Sequence, residues 1–395
     1  MKKVLIGLTA LAFATGAFVQ SNVQAEEIIL GLSIAKTGRY ATLAKGTETS
    51  VDIAVEEINA AGGINGMQVR VVKFDTGGDP KQAVVAVNRL ATDEGALAVI
   101  GPFSSGEARV AFPAGERLGI VQIPNASSAP KLPNDFSYAF RLTESEFLQF
   151  TRLMKSVKSL GIAADTGAIL YASDEFVSKI VGTLIMKTVF EKSGVAMASD
   201  PIGFPNATFD FSPQVSQLKG ANVDVVGVGA IIEPAVKLLK EMRRQGVKSR
   251  VIGSALFADP GVEKLFGSDG DGTLFTVWYW YKANDKTKAF ADKWTAENKN
   301  RGIDKPFPHH VDASAYDIVY VLKAAMEKAG VTGDPAKLAA ERTAIRDALV
   351  DIKVTGIIGE ICFDKNGDAQ LPAYVIELQN SEWNLIDQHP PLPCK

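Results

Sequence analysis

The sequence is poor in the residues from which most metal and nucleophilic sites are built. It contains only three histidines and two cysteines among 395 residues. His309 and His310 are adjacent and His389 lies near the C-terminus, so a catalytic triad or a metal site has few candidate members. Ser104 and Ser105 lie in GPFSSG, which lacks the glycine spacing of a G-x-S-x-G nucleophile elbow. We therefore expect no enzyme activity and no bound metal.

Two short glycine motifs are also incomplete. GVGAII (227–232) begins like a dinucleotide-binding turn but lacks the third glycine. DKNGD (364–368) begins like a calcium loop but lacks its remaining ligands and the distal glutamate. We therefore expect no cofactor, and we interpret the first motif as a strand end and the second as a turn.

An excess of basic residues is absent as well, since the net charge of the chain is −3. This argues against a nucleic-acid partner. The N-terminus combines Lys2 and Lys3 with a short apolar run and the small residues before Glu26. This layout predicts a cleavable signal peptide over residues 1–25, with a retained anchor as the alternative. No cysteine follows the apolar run, so the exported protein is expected not to be lipid-anchored.

Cys362 and Cys394, the two cysteines, both lie late in the chain. In an oxidising compartment they can form one disulfide that closes the C-terminal tail. Two free thiols are the alternative, because sequence does not fix the geometry. We favour the disulfide.

Short apolar segments alternate with amphipathic ones along most of the chain. This pattern predicts an α/β fold with parallel sheets covered by helices on both faces. Two stretches, about 28–140 and 147–270, are each long enough for one doubly wound lobe, and the third stretch adds to both. A final hairpin is predicted at Asn366-Gly367. The predicted strands are 27–34, 67–75, 96–101, 119–125, 166–172, 223–230 and 250–256, and the main helices are 47–63, 174–193, 209–220, 233–246 and 313–330.

Hydroxyl-bearing residues follow two neighbouring predicted strands. Ser104 and Ser105 come after ALAVIG, and Ala126, Ser127 and Ser128 come after GIVQI. Ligands of open parallel sheets bind beyond the carboxyl ends of the strands, where free amides and helix dipoles favour an anion. These residues therefore predict a carboxylate site, with helix capping alone as the alternative.

An ordered set of motifs resembles the type I periplasmic binding proteins, the ligand receptors of branched-chain-amino-acid-type ABC transporters. The motifs are KTGRYATLAKGTETSVDIAVEEINAAGGING, GPFSSGEA, PNASSAP and ASAYDIVYVLKAAMEKAG, and they span essentially the whole exported chain. The resemblance implies two Rossmann-like lobes joined by three crossovers, with the ligand enclosed between them. It also implies a periplasmic monomer that captures a small molecule and presents it to a membrane permease. Its lobes would comprise 26–142 plus about 274–352, and about 143–273 plus 353–395.

Within this resemblance, Ser105 falls where the family binds the ligand carboxylate. Ala126 and Ser128 match the second loop of that site, and Ser127 and the amide near Ser104 are added as neighbours. Tyr40 and Leu43 match the first-lobe loop that touches the rest of the ligand. The second lobe is predicted to contribute four apolar residues, namely Phe176, Ile231, Ala255 and Phe257.

One departure from the family bears on the ligand. Amino-acid binders commonly place an acid after the strand matched by RVIG, whereas this chain continues with Ser254-Ala255-Leu256-Phe257. A buried ammonium without a counter-charge is costly. We therefore expect an aromatic acid, such as a benzoate or phenylpropanoid. A branched-chain or other amino acid is the alternative, with Asp174, Glu175 or Glu233 as substitute acids, and a ligand sensor or a hydrolase represents the other function classes.

Overall fold

The computed structural model describes residues 27–394, without the side chain of Leu256. The predicted signal peptide at 1–25 lies outside the described residues. No helix within the described range is both long and apolar enough to cross a membrane.

The described residues contain strands and helices in alternation, as predicted. The strands are β1 (Ile28–Ile34), β2 (Val69–Asp75), β3 (Ala98–Ile100), β4 (Val121–Ile123), β5 (Thr166–Ala172), β6 (Ala196–Met197), β7 (Ile202–Phe204), β8 (Val225–Gly229), β9 (Arg250–Gly253), β10 (Leu274–Val277), β11 (Val354–Thr355), β12 (Glu360–Ile361), β13 (Ala373–Gln379) and β14 (Glu382–His389). The helices are α1 (Ala41–Ala44), α2 (Thr47–Ala60), α3 (Pro80–Thr92), α4 (Ser105–Leu118), α5 (Glu146–Ser159), α6 (Phe176–Ile180), α7 (Met186–Ser193), α8 (Ser212–Lys219), α9 (Ile232–Arg244), α10 (Val262–Phe266), α11 (Asp285–Asn300), α12 (His310–Ala329) and α13 (Leu338–Val350). Short 3₁₀ segments occur at Gly38–Tyr40, Ala255–Phe257, Gly267–Gly270 and Pro335–Lys337, and a π-helical turn at Val181–Ile185 joins α6 to α7.

A four-stranded parallel sheet in the order β2-β1-β3-β4 organises the first lobe. Along β1, Leu30 packs in a cluster with residues of α2 and α12, whereas Ile29 packs with residues of α3 and α4. Successive side chains of a strand point to opposite faces, so helices cover both sides of this sheet. This is the doubly wound arrangement predicted from the apolar strands.

A second sheet, in the order β14-β13-β10-β9-β8-β5-β6 with β7 also paired to β5, organises the second lobe. Strands β5 to β10 run parallel, and β13 and β14 extend the sheet in antiparallel fashion. Leu170 packs with residues of α9, and Ile169 packs with residues of α5 and α7. Helices therefore cover both faces of this sheet as well.

The chain passes between the lobes three times: between β4 and α5, between β10 and α11, and between β12 and β13. The sequence placed the return of the chain to the first lobe at about 274. In the structure the chain returns only after β10, because this strand still pairs with β9 and β13 of the second sheet. The return to the second lobe at 353 also differs, since Ile361 and Leu371 pack in the core of the first lobe. The first of these crossings directly follows the apolar strand β10, whose sequence LFTV does not indicate to which lobe it belongs.

The hairpin turn predicted at Asn366-Gly367 is present, with Phe363 and Ala369 paired antiparallel across it, but it is not the final hairpin of the chain. Asn366-Gly367 forms a tight turn, closed by a 3.0 Å hydrogen bond from Gly367 N to Asp364 O. The long hairpin of β13 and β14 instead turns at Asn380-Ser381, where both residues have positive φ. Serine rarely adopts this conformation, so the sequence carried only a weak turn signal there. The favoured disulfide between Cys362 and Cys394 is confirmed.

Candidate ligand-binding cleft

The predicted site residues lie on loops that leave the carboxyl ends of the parallel strands, and these loops face each other between the lobes. The first lobe contributes the segments after β1, β3 and β4, and the second lobe those after β5, β8 and β9. Parallel strands end at the same edge of a sheet, so the two sheets deliver their loops to one cleft.

Ser104 is a helix cap. Its hydroxyl accepts a hydrogen bond from Glu107 N at 3.3 Å, while Glu107 Oε2 accepts from Ser104 N at 2.9 Å and from Ser104 Oγ at 2.6 Å. This reciprocal arrangement satisfies the start of α4 internally. Both the amide and the hydroxyl of Ser104 are engaged, which corrects the prediction that this residue holds a ligand.

Ser105 stands at the first position of α4 and differs from its neighbour. Its Oγ accepts a 3.1 Å hydrogen bond from Ala129 N, which ties α4 to the loop after β4. A hydroxyl can accept and donate together, and within residues 27–394 its proton has no acceptor. The amides of Ser105 and Gly106 also lie in the first turn, where helical amides lack intrahelical acceptors. These donors suit a carboxylate.

Arg141, a buried residue that the sequence did not indicate as part of the site, holds the loop after β4 in place. Its guanidinium donates to the carbonyls of Ser127, at 3.2 Å, and Ala129. Thr143 Oγ1 also donates to Ser127 O at 2.6 Å. The Ser127 hydroxyl donates to Phe103 O at 3.1 Å, so its side chain holds the loop in place instead of facing a ligand. The hydroxyl of Ser127 is thus engaged within the loop, and the contribution of its backbone amide to the site stays a prediction.

Ser128 contacts a buried carboxylate that the sequence analysis missed. Glu146, the first residue of α5, accepts through Oε1 from Ser128 Oγ at 3.2 Å and from Ser254 Oγ at 2.9 Å. Glu146 N also donates to Ser128 O at 2.9 Å. The pKa of Glu146 is raised to about 7, because burial and the nearby Glu175 outweigh the hydrogen bonds from Ser254 and Ser128, which lower it. An acid in the first turn of a helix normally suggests an exposed helix-dipole contact, so sequence gave no reason to place it here.

The acids that had been considered as substitutes lie elsewhere in the cleft. Glu175 caps α6 through bonds from Val177 N and Ser178 N, and it accepts a 2.9 Å hydrogen bond from Tyr40 Oη of the first lobe. Burial beside Glu175 raises the pKa of Tyr40. Glu233 Oε1 accepts from Thr42 at 3.3 Å, again across the cleft. The lobes therefore touch, and the structure is a closed form.

The apolar residues divide between the cleft and the second-lobe core. Leu43, Ala126, Ile231 and Ala255 share one cluster with first-lobe residues, which places both lobes against a common apolar surface. Phe257 instead packs against Phe266 and Phe275, with ring centroids 6.4 and 5.9 Å apart. Its predicted ligand contact is wrong, because the 3₁₀ turn at Ala255–Phe257 directs the ring into the core.

Phe176 lies half-buried at the start of α6. The Arg109 guanidinium of α4 is 5.3 Å from the centroid of its ring, and Gly106 of the same helix lies close to its Cβ. The aromatic side chain of the second lobe thus sits against the helix start that carries Ser105.

A fold of two doubly wound lobes, three crossings and a cleft lined by strand-end hydroxyls defines a ligand-binding protein of the periplasmic type. The profile of the periplasmic binding protein family matches residues 27–382, and the chain belongs to this family. It is a type I member of the kind that serves branched-chain-amino-acid-type ABC transporters, and so a solute-binding component of an importer.

Known proteins of the family share the architecture across nearly the whole chain. The leucine-, isoleucine-, valine-, threonine- and alanine-binding protein of Pseudomonas aeruginosa is 28% identical over 98% of each chain. The crystal structure of LivJ from Streptococcus pneumoniae with isoleucine is 21% identical with a TM-score of 0.80, covering 93% of this chain and 99% of LivJ. A solute-binding protein from R. palustris with 4-hydroxybenzoate is 20% identical with a TM-score of 0.78, covering 93% and 98%.

Proposed function

We propose that the protein captures a small organic carboxylate, most suitably an aromatic acid, by closing its lobes around it in the periplasm. The observation that carries this proposal is the Ser105 hydroxyl, which keeps a free proton beside the first-turn amides of α4 while Ala129 N fixes its oxygen. Ser128 and the backbone around Ala126 complete the carboxylate site.

Neutral donors are sufficient to hold such an anion. A hydrogen bond to a charged group contributes about 1.5–3 kcal/mol, so two or three of them support binding in the micromolar range, about −8 kcal/mol, after ordering costs. The loop is already held by Arg141, which lowers the ordering cost on binding.

The apolar contacts favour an aromatic body. Leu43 and Ile231 approach from opposite lobes, and Tyr40 and Phe176 lie next to the carboxylate loops. An aromatic ring buries a large area against such side chains without needing polar partners.

An α-amino acid is a second candidate, and Glu146 is the observation that favours it. Its buried carboxylate accepts a hydrogen bond from Ser128, and in its ionised form it would neutralise a ligand ammonium at this position. The P. aeruginosa relative, which is named as an amino-acid binder, points the same way.

Thermal unfolding with a ligand panel separates the candidates. A ligand that binds only the folded state raises the melting temperature. We expect 4-hydroxybenzoate and benzoate to raise it, and leucine and isoleucine to have little effect. If only the amino acids raise the melting temperature, the ligand is an α-amino acid and not an aromatic acid.

The cellular part of the proposal is a monomeric periplasmic receptor whose leader is removed after residue 25. Mass spectrometry of the purified periplasmic protein is expected to show a chain that begins at Glu26. A protein that retains residues 1–25 in the membrane fraction would contradict this.

A further inference from the structure

Glu146 is a buried acid of the cleft with one carboxylate oxygen that accepts no hydrogen bond among the described residues. Its side chain is almost fully buried, and its Oε1 accepts one hydroxyl from each lobe, Ser128 and Ser254. Its Oε2 is buried and has no hydrogen-bond partner within the described part of the chain. A buried carboxylate oxygen without a donor is costly if the group is ionised.

The charged groups around Glu146 do not offset its charge. On its own segment, Glu144 is paired with Arg152. From α6, Glu175 adds a like charge, and Arg141 is engaged with Asp368 and with the carbonyls beneath the loop after β4. Among residues 27–394, no lysine, arginine or histidine forms an ion pair with Glu146. Its pKa accordingly rises to about 7.

The proposed ligand carboxylate and Glu146 compete for the same surroundings. Both would use the Ser128 hydroxyl, so their oxygens would lie within a few ångströms of each other. Two carboxylates sharing one buried site do not both ionise, and one of them retains a proton.

We infer that Glu146 is a specificity residue that takes up one proton from solvent when an organic anion binds, so that its protonated Oε2 donates to the ligand carboxylate. This inference rests on the proposed function. The proton comes from water or buffer, and it returns when the anion leaves. A zwitterionic amino acid would behave differently, because its ammonium would pair with an ionised Glu146 and no proton would be taken up.

The inference predicts a defined pH dependence for 4-hydroxybenzoate. If only the protonated form accepts the anion, affinity is constant well below the pKa of Glu146 and falls towards tenfold per pH unit above it. In Glu146→Gln the amide donates at every pH, so the affinity is expected to change less than about threefold between roughly pH 6 and pH 8.5.

Isothermal titration of the full mature chain tests this with 4-hydroxybenzoate and isoleucine as probes. Titrations near pH 7.5 in phosphate and in Tris, which differ in ionisation enthalpy, report proton uptake directly. At this pH about three quarters of Glu146 is ionised before binding, so we expect an uptake of about 0.75 proton per 4-hydroxybenzoate in the wild type and none in Glu146→Gln. Glu191→Gln, which removes an exposed acid of α7, is the matched control and is expected to behave as wild type.

The outcomes separate the inference from the proposed function. Binding of 4-hydroxybenzoate by the wild type without proton uptake overturns the inference alone. Binding of isoleucine without proton exchange, and its loss in Glu146→Gln, assigns Glu146 as an ionised ammonium partner and overturns the inference within the same receptor. Failure of both probes to bind at any pH overturns the carboxylate receptor itself. The proton uptake measured for the wild type tests the inference even if the Glu146→Gln variant does not fold.

Discussion

Tyr40 and Glu175 join the two lobes through a buried hydrogen bond of 2.9 Å between residues 135 positions apart. The tyrosine belongs to the loop after β1, and the carboxylate caps α6 in the second lobe. The contact exists only when the lobes are close, so it contributes to the closed state and not to the fold of either lobe. Closure in this protein therefore has a specific polar contact besides apolar packing.

Replacing Tyr40 by phenylalanine is expected to shift the protein towards the open form. Glu175 keeps its bonds from Val177 N and Ser178 N, so the second lobe remains folded. A hydrogen bond to a carboxylate contributes about 1.5–3 kcal/mol, and the closed form loses this contribution in the variant. We expect a larger radius of gyration by small-angle X-ray scattering without ligand, and weaker ligand binding. An unchanged radius and affinity would show that apolar contacts alone set closure.

The adjacent serines Ser104 and Ser105 are expected to respond differently to alanine substitution. Ser105→Ala removes a donor to the ligand carboxylate and should weaken binding by about 1–3 kcal/mol. Ser104→Ala removes both hydrogen bonds between the Ser104 hydroxyl and Glu107, including the one from Glu107 N that caps α4, so it should mainly lower the melting temperature. Titration calorimetry and thermal unfolding of both variants measure the two effects. Equal losses of affinity in the two variants would contradict the assignment.

The sequence predicted which loops meet in the cleft, whereas the carboxylate site on these loops stays a prediction. Strand ends, hydroxyls and helix starts are local features, so Ser105 and Ser128 could be selected as candidates from neighbouring residues. Glu146 and Arg141 could not, because their roles depend on contacts with residues of other segments. Phe257 was assigned wrongly for the same reason: an apolar residue after a strand can face a cleft or a core, and only the backbone path decides.

The fold was predicted as a class but not in its crossings. Alternating apolar and amphipathic segments specify parallel sheets with helices on both faces. The lobe to which β10 belongs is instead decided by pairing with β9 and β13, on either side of it in the sheet. Its sequence, LFTV, fits a buried strand in either lobe.

The disulfide is expected to stabilise the C-terminal tail substantially. Cys362 and Cys394 are 32 residues apart, and closing a loop of this length corresponds to about 3–4 kcal/mol in the chain-entropy model. The double variant Cys362→Ala/Cys394→Ala should unfold at a lower denaturant concentration, while ligand affinity stays close to wild type because the bridge lies outside the cleft. Wild-type protein under reducing conditions should match the variant. Equal stability with and without the bridge would contradict the expectation.

Lys305 forms a buried ionic contact between the lobes. Its ammonium lies 3.3 Å from Asp259 of the second lobe and 3.5 Å from Asp312 at the start of α12. Removing one partner of a buried pair costs about 3–5 kcal/mol, because the other charge is left unpaired. Lys305→Met should therefore lower stability strongly, and adding Asp259→Asn should restore part of it. Additive losses in this double-mutant cycle would show that the two residues do not interact.

Asp317 is expected to make stability fall as the pH rises. This residue of α12 accepts hydrogen bonds from Ile357 N and Ile358 N, both at 2.9 Å, but its burial raises its pKa to about 7. The ordinary pKa of an aspartate is about 3.9, so between roughly pH 4 and pH 7 the folded state holds a proton that the unfolded state has released. The free energy of unfolding therefore decreases across this window.

Asp317→Asn removes this titration, but its amide nitrogen cannot accept a hydrogen bond, so one of the two bonds from Ile357 N and Ile358 N is lost. We therefore expect the variant to be less stable than the wild type near pH 4, and its stability to change less than that of the wild type between about pH 4 and pH 7. Asp224 provides a control of opposite sign. Hydrogen bonds from Thr166 lower its pKa, so it contributes stability above its ordinary pKa and loses it in acid. Asp224→Asn should therefore be less stable than the wild type at neutral pH. Thermal unfolding of the three proteins across this pH range measures the difference, and a wild type and an Asp317→Asn variant with parallel profiles would show that Asp317 is ionised in the folded protein.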